Sequence, residues 1–265
     1  MSVAGDLVDG RYRLGRRLGG GHDTDVFMAE DLPLARTVVL RIAGPAGAAA
    51  LARQTRCLTS LQFDTANTVP VLDEGATEDG GRYFAMPFIE GTPLSSLTAR
   101  RGALPPDEAA SIAIQLLEAA IAARRIVPSG LHAVPESAIL DRDRQVRVTW
   151  FRDEPAGAGQ DPACASTATV LHDLLTGVAP SPGTAVAERG QTVPDALAHV
   201  VDDALTGGVR TPEEFIKRLA DARRRLPQPA PESPPPLRNW QMVVAVLVLL
   251  VTVGAIILAV TLGTG

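Results

Sequence analysis

Few residues in this chain have the type and spacing for chemistry. A glycine-rich turn, Gly19-Gly20-Gly21-His22-Asp23-Thr24, lies between two runs of strand-forming residues. Such a turn is either an ordinary hairpin or a loop whose backbone N–H groups face an anion, and Asp23 puts negative charge where that anion would lie. Arg41 follows the apolar run Val38-Val39-Leu40. An arginine there either packs its stem and keeps its head in solvent, or contacts an anion. His132 can act as a base near neutral pH, or be a plain surface residue of a loop. Asp153 is a carboxylate that could serve a metal. Cys57 and Cys164 are the only cysteines; they lack metal-ligand spacing and read as reduced thiols.

The elements that must position these residues are legible as patterns. Within residues 11–42, RYRLGRRL, DVFMAED and ARTVVLRIA alternate or are β-branched and read as an antiparallel meander. AGAAALARQTRCLTSL reads as a helix, and VPVLDEG and RYFAMPFIEG as two more strands around the turn Asp79-Gly80-Gly81. From residue 91 the character changes. PLSSLTARRG and PPDEAASIAIQLLEAAIAARRI are helical; the second has prolines and acids at its start and arginines at its end, as the helix dipole favours. AILDRD and QVRVTWF form a small hairpin, and three further helices follow in ASTATVLHDLLTG, PDALAHVVDDALTG and TPEEFIKRLADARRRL. A β lobe over about 11–90 followed by a helical lobe over about 91–225 is an α+β pattern, with 1–10 as a tail.

The C-terminal end is of another kind. Residues 226–241 are proline-rich, which suits a semi-rigid spacer. Met242 to Leu262, MVVAVLVLLVTVGAIILAVTL, carries no charge; at 1.5 Å per residue it spans roughly 30 Å, a bilayer's hydrocarbon thickness. Arg223, Arg224, Arg225 and Arg238 precede it, and only residues 263–265 follow. The positive-inside rule then makes a single-pass cell-membrane protein with the bulk of the chain cytoplasmic and Trp240 at the interface. MSVAGDLVDG has no basic or apolar region of a secretory signal. The net charge of −5 and the absence of a basic stripe argue against nucleic acid as a partner.

The order of these pieces resembles the bacterial eukaryotic-like Ser/Thr protein kinase family, over most of residues 11–222. RYRLGRRLGGGHDTDVFMAEDLPLARTVVLRIA resembles the glycine-rich loop and third strand, FAMPFIEGTPL the hinge, PESAILDRDRQVRVTWF the catalytic loop and metal-binding strand, and VLHDLLTG the helix after the activation segment. The resemblance implies a two-lobed kinase-like fold plus one C-terminal transmembrane helix. It points to Gly19, Gly21, Val26, Arg41, Met86 and Phe88 as the counterparts of a nucleotide site.

The chemistry of the family is not matched. Phosphoryl transfer needs a phosphate-covering loop, a cation, bridging metal ions and a group that positions the acceptor hydroxyl. By the resemblance, Arg41 stands at the strand lysine, and Gln54 at the helix glutamate that pairs with it. His132 stands at the catalytic aspartate, Ser137 at the metal-binding asparagine, and Trp150 at the metal-binding aspartate. Lys217 is the only lysine, and Asn67 and Asn239 are the only asparagines, so no substitute is at hand. About a dozen residues after Arg152 read as a plain flexible connector, too short for a substrate-binding activation segment. These losses imply a pseudokinase: no cofactor expected, weak or absent ATP binding and no metal. Its partners would be cytoplasmic proteins held at the lipid bilayer, in cell-envelope or division control. The alternatives are an atypical kinase that retains nucleotide binding, and a substrate of a true kinase at Thr211 or Ser233. For Thr211 the competing reading is a helix N-cap.

Overall fold

The computed structural model describes residues 5–21, 24–61, 67–126, 130–154, 159–180 and 193–226. The N-terminal part is a six-stranded antiparallel sheet of order β1-β2-β3-β4-β6-β5. Its strands are β1 (Leu7–Val8), β2 (Tyr12–Gly20), β3 (Thr24–Asp31), β4 (Arg36–Ala43), β5 (Asp73–Ala76) and β6 (Arg82–Pro87). Helix α1 (Ala48–Leu61) lies between β4 and β5 in the chain. The five strands and the helix read from the sequence are present, with two corrections. The expected tail 1–10 contributes the edge strand β1, and the strand expected from Val69 begins only at Asp73. Val69 is drawn off instead, its N–H bonding the carbonyl of Val148 at 3.1 Å.

The period-two alternation of the central strands sorts their side chains into two cores. Val38, Leu40 and Ile42 of β4, with Tyr83 and Ala85 of β6 and Tyr12 and Leu14 of β2, fill a core inside the curled sheet. Val39 and Ala43 of β4, and Phe84 and Met86 of β6, face the other way into the large core shared with α1 and the second lobe. Arg41 lies in phase with Val39 and Ala43, so its side chain is directed to that second, interlobe side.

The second lobe is helical: α2 (Leu97–Arg101), α3 (Pro106–Ile126), α4 (Pro162–Thr176), α5 (Asp195–Leu205) and α6 (Pro212–Arg224). Asp161 caps α4, its carboxylate accepting from Ala163 N–H at 2.8 Å, and Gly177 ends the helix in the left-handed region at φ 74°. Thr211 caps α6 by accepting from Glu214 N–H at 3.3 Å, as the N-cap reading requires. Short strands complete the lobe: β7 (Gly91–Pro93), β9 (Ala138–Asp141) and β10 (Val146–Val148) form one sheet, and β8 (Gly130–His132) pairs with β11 (Arg152–Glu154). Among the described residues no helix is long and apolar enough to cross a membrane. The expected spacer at 226–241, after Leu226, and the expected span at 242–262 lie outside them.

Candidate functional site

The alternation of β4 and the end of β10 bring Arg41 and Trp150 together. The guanidinium carbon of Arg41 lies 4.3 Å from the centroid of the Trp150 ring. Arg41 is 7% exposed, so its head is not in solvent, and it stacks on an aromatic face. One of its Nη atoms donates to Thr24 Oγ1 at 3.1 Å, while its Nε is buried without a hydrogen-bond partner. It forms no ion pair among the described residues, and burial pushes its pKa down to about 10, so it remains a cation at neutral pH.

Gln54 of α1 reaches across the same region, its Nε2 donating to the carbonyl of Phe151 at 3.0 Å. Phe151 is buried in the interlobe core. The helix residue that resembles a cation-pairing glutamate thus bonds the backbone next to Trp150. Ser137 is fully buried, and its hydroxyl is used up locally: it donates to Val134 O and accepts from Val134 N–H, both at 2.9 Å. A hydroxyl so placed is held toward the backbone of Val134.

His132 corrects the surface-loop expectation. It is 3% exposed and belongs to β8, registered against Arg152 of β11. The connector after Arg152 is likewise not featureless: its start is the strand β11, and α4 begins at Pro162, before the expected Ala165. Asp153 registers against Leu131 in that pair.

The glycine turn is a hairpin, with Gly19 opposite Val26 and Gly20 opposite Asp25. Gly21 N–H bonds Thr24 O at 2.8 Å; His22 and Asp23 lie outside the described residues. A Cβ on Gly20 would come within 2.6 Å of Thr24 O, so the close approach there demands glycine, whereas Gly19 and Gly21 face open space. Gly21 and Thr24 line a cavity of about 760 Å³ whose charged lining includes Asp9, Asp25, Glu78 and Asp79 against Arg17. Arg17 is already bonded to Asp25 at 2.8 Å. None of Val26, Arg41, Met86 or Trp150 lines that cavity, so it is separate from the Arg41–Trp150 site.

Of the other nucleotide-site counterparts, Val26 registers against Arg41 and packs on the interlobe core, and Met86 is buried in it. Phe88 departs from them: it is 41% exposed and lines a separate cavity of about 300 Å³ with Thr68, Pro70 and Asp143. Among the described residues no group of three or more His, Cys, Asp or Glu side chains is placed to hold a metal. Cys57 and Cys164 are buried, and burial raises the thiol pKa of each, to about 11 and about 12, which keeps them protonated and inert.

Two lobes, a sheet with one helix and a helical lobe, joined through residues 88–90, define the protein-kinase fold. The comparison with solved structures agrees. A crystal structure of Rad53 1–466 in complex with AMP-PNP superposes with a TM-score of 0.61 at 17% identity, covering 79% of this chain and 64% of that one. The apo form of PpkA-294 gives 0.60 at 18% identity, covering 84% and 99%. By sequence the chain is a homologue of bacterial Ser/Thr protein kinases. It is 30% identical to PknD of Mycobacterium tuberculosis over 84% of this chain and 33% of that protein. It is 30% identical to PrkC of Bacillus subtilis over 56% of this chain and 24% of that protein. PknE of M. tuberculosis is 31% identical over 51% of this chain and 24% of its own length. The chain therefore spans a third or less of the length of these relatives. No protein-family profile matches it.

Proposed function

We propose that this kinase-like domain is catalytically inactive and works as a docking or regulatory module tethered to the cell membrane. The observation that carries the reading is the Arg41–Trp150 stack. An indole occupies the place of the carboxylate that would bind magnesium, and the cation that would hold phosphate is spent on that indole. The internally bonded Ser137 hydroxyl supports the same reading. Without metal ligands, nothing neutralises the charge of a nucleoside triphosphate in the cleft.

A domain that keeps a fold without its chemistry acts through its surface. The apolar span at 242–262 would concentrate that surface, and the cytoplasmic proteins it binds, at the bilayer. Resemblance to kinase-like modules of envelope proteins suggests cell-envelope or division control. Replacing Leu249 and Leu250 with Arg breaks the span; full function of that soluble form in the cell would refute the tether.

One observation favours a second reading, an atypical kinase that still binds nucleotide: the buried Arg41 Nε has no partner, and a phosphate oxygen would satisfy it. A thermal-shift titration separates the two. Inactivity predicts no shift at millimolar Mg-ATP or with ATP plus EDTA, whereas a strong magnesium-dependent shift overturns it. Phosphorylation of the chain by a true kinase stays open at Ser233. Thr211 is less suited, because its hydroxyl caps α6.

A further inference from the structure

The cavity behind the segment joining the lobes is not part of the site described above: none of Val26, Arg41, Met86 or Trp150 lines it. Two independent features meet there. Phe88 is 41% exposed, and Pro70, also exposed, lines the same cavity. Thr68 lines it too and is 5% exposed, with its hydroxyl oxygen enclosed beneath the surface.

The second feature is charge. Two of the rim arginines are neutralised within the rim, Arg142 by Glu90 at 2.7 Å and Arg147 by Asp141 at 2.8 Å. Asp143, exposed on the turn between β9 and β10, has no cation partner among the described residues. The rim therefore presents one uncompensated carboxylate beside an exposed aromatic ring. A volume of about 300 Å³ suits one or two inserted side chains.

We propose that this groove docks an extended segment of a partner protein. The segment seats an apolar side chain against Phe88 and Pro70 and places a neighbouring Lys or Arg against Asp143. An aromatic anchor in a pocket with a charged rim is the usual form of a binding hot spot. The inference rests on the docking reading above and assigns it a surface.

The test pans the full-length chain, held in lipid nanodiscs, against a displayed random-peptide library, then titrates the selected peptides by fluorescence anisotropy. The selected peptides should carry an apolar residue next to Lys or Arg. Their affinity should fall about tenfold or more in Phe88→Ala and in Asp143→Lys. It should be unchanged in Leu34→Ala, which removes an exposed apolar side chain elsewhere. Matching unfolding temperatures confirm that each variant is folded, and Asp143→Lys tests the groove without removing the ring. Selected peptides lacking a basic residue, or binding equally well to Phe88→Ala, overturn the proposal. So does a dimer in sedimentation that Phe88→Ala dissociates, since a second copy would then fill the groove. These outcomes leave the inactivity reading standing; that reading fails only on magnesium-dependent nucleotide binding, which in turn leaves peptide binding at the groove untouched.

Discussion

Arg41 and Trp150 stack with the guanidinium carbon 4.3 Å from the ring centroid, joining the central strand of the first lobe to the end of β10 in the second. Two opposing effects set its worth. Burial without a counter-carboxylate lowers the Arg41 pKa to about 10, a cost of roughly 3 kcal/mol. A desolvated cation–π contact returns about 2 kcal/mol. The net is a cost of about 1 kcal/mol, so Arg41→Met, of similar length and uncharged, should leave unfolding stability unchanged or raise it by up to about 1 kcal/mol. The contact shows itself in coupling instead. Trp150→Ala should cost about 1–2 kcal/mol more in the natural chain than in the Arg41→Met background. Urea unfolding of the four proteins closes the cycle, and additive effects would mean the two side chains do not interact.

Asp31 anchors a different network. It is fully buried, accepts from Arg11 at 2.8 and 2.9 Å and from Arg36 at 3.0 Å, and the Arg11 guanidinium holds its carboxyl below the usual carboxylate range. A group with a depressed folded pKa stabilises fully above its unfolded value, about 4, and that stability is lost as pH falls below it. Asp31→Asn should therefore lower the unfolding temperature at neutral pH. It should also flatten the acid limb, so that the drop between neutral pH and about pH 3 is smaller than in the natural chain. Thermal scans across that range check both.

Much of this architecture was legible in the sequence, for reasons that can be named. Val38 to Ala43 alternate between two cores, and that period alone directs Arg41 toward the second lobe. Pro, Asp and Glu at the start of α3, with Arg124 and Arg125 at its end, mark its limits. The partner of Arg41 was not legible, because Trp150 is brought to it only by tertiary packing of distant segments. The burial of His132 was missed for another reason: β8 and β11 are three residues each, too short to carry a period. Phe88 aligned with a cleft residue, yet it lies past the end of β6, where strand alternation no longer sets its direction.

Thr211 gives a local prediction. Its hydroxyl satisfies the N–H of Glu214, and Glu213 and Glu214 complement the helix dipole at the same end. Thr211→Ala should destabilise the domain by about 1 kcal/mol, and Thr211→Ser or Thr211→Asp by much less. If all three substitutions give the same unfolding midpoint, the cap contributes nothing.

Trp150→Asp tests whether the missing metal ligand is all that separates this site from a working one. The introduced carboxylate would stand beside the buried Arg41 cation, and an ion pair there is its cheapest partner, since Arg41 has no other carboxylate among the described residues. Magnesium keeps an octahedral shell and is held through one or two carboxylates together with substrate phosphates, so a carboxylate engaged by Arg41 is a poor ligand. The other ligand position holds Ser137, whose hydroxyl is bonded twice to Val134 and cannot turn outward without breaking the turn before β9. The variant should therefore show no magnesium-dependent thermal shift with ATP, although removal of the ring alters its stability. Adding Ser137→Asn should not restore one either, because the asparagine would lose those two bonds in a fully buried position and unfold the turn. Isothermal titration of both variants with Mg-ATP, against ATP in EDTA, reads this directly. Magnesium-dependent binding in the single variant would mean that the rest of the metal site is still built.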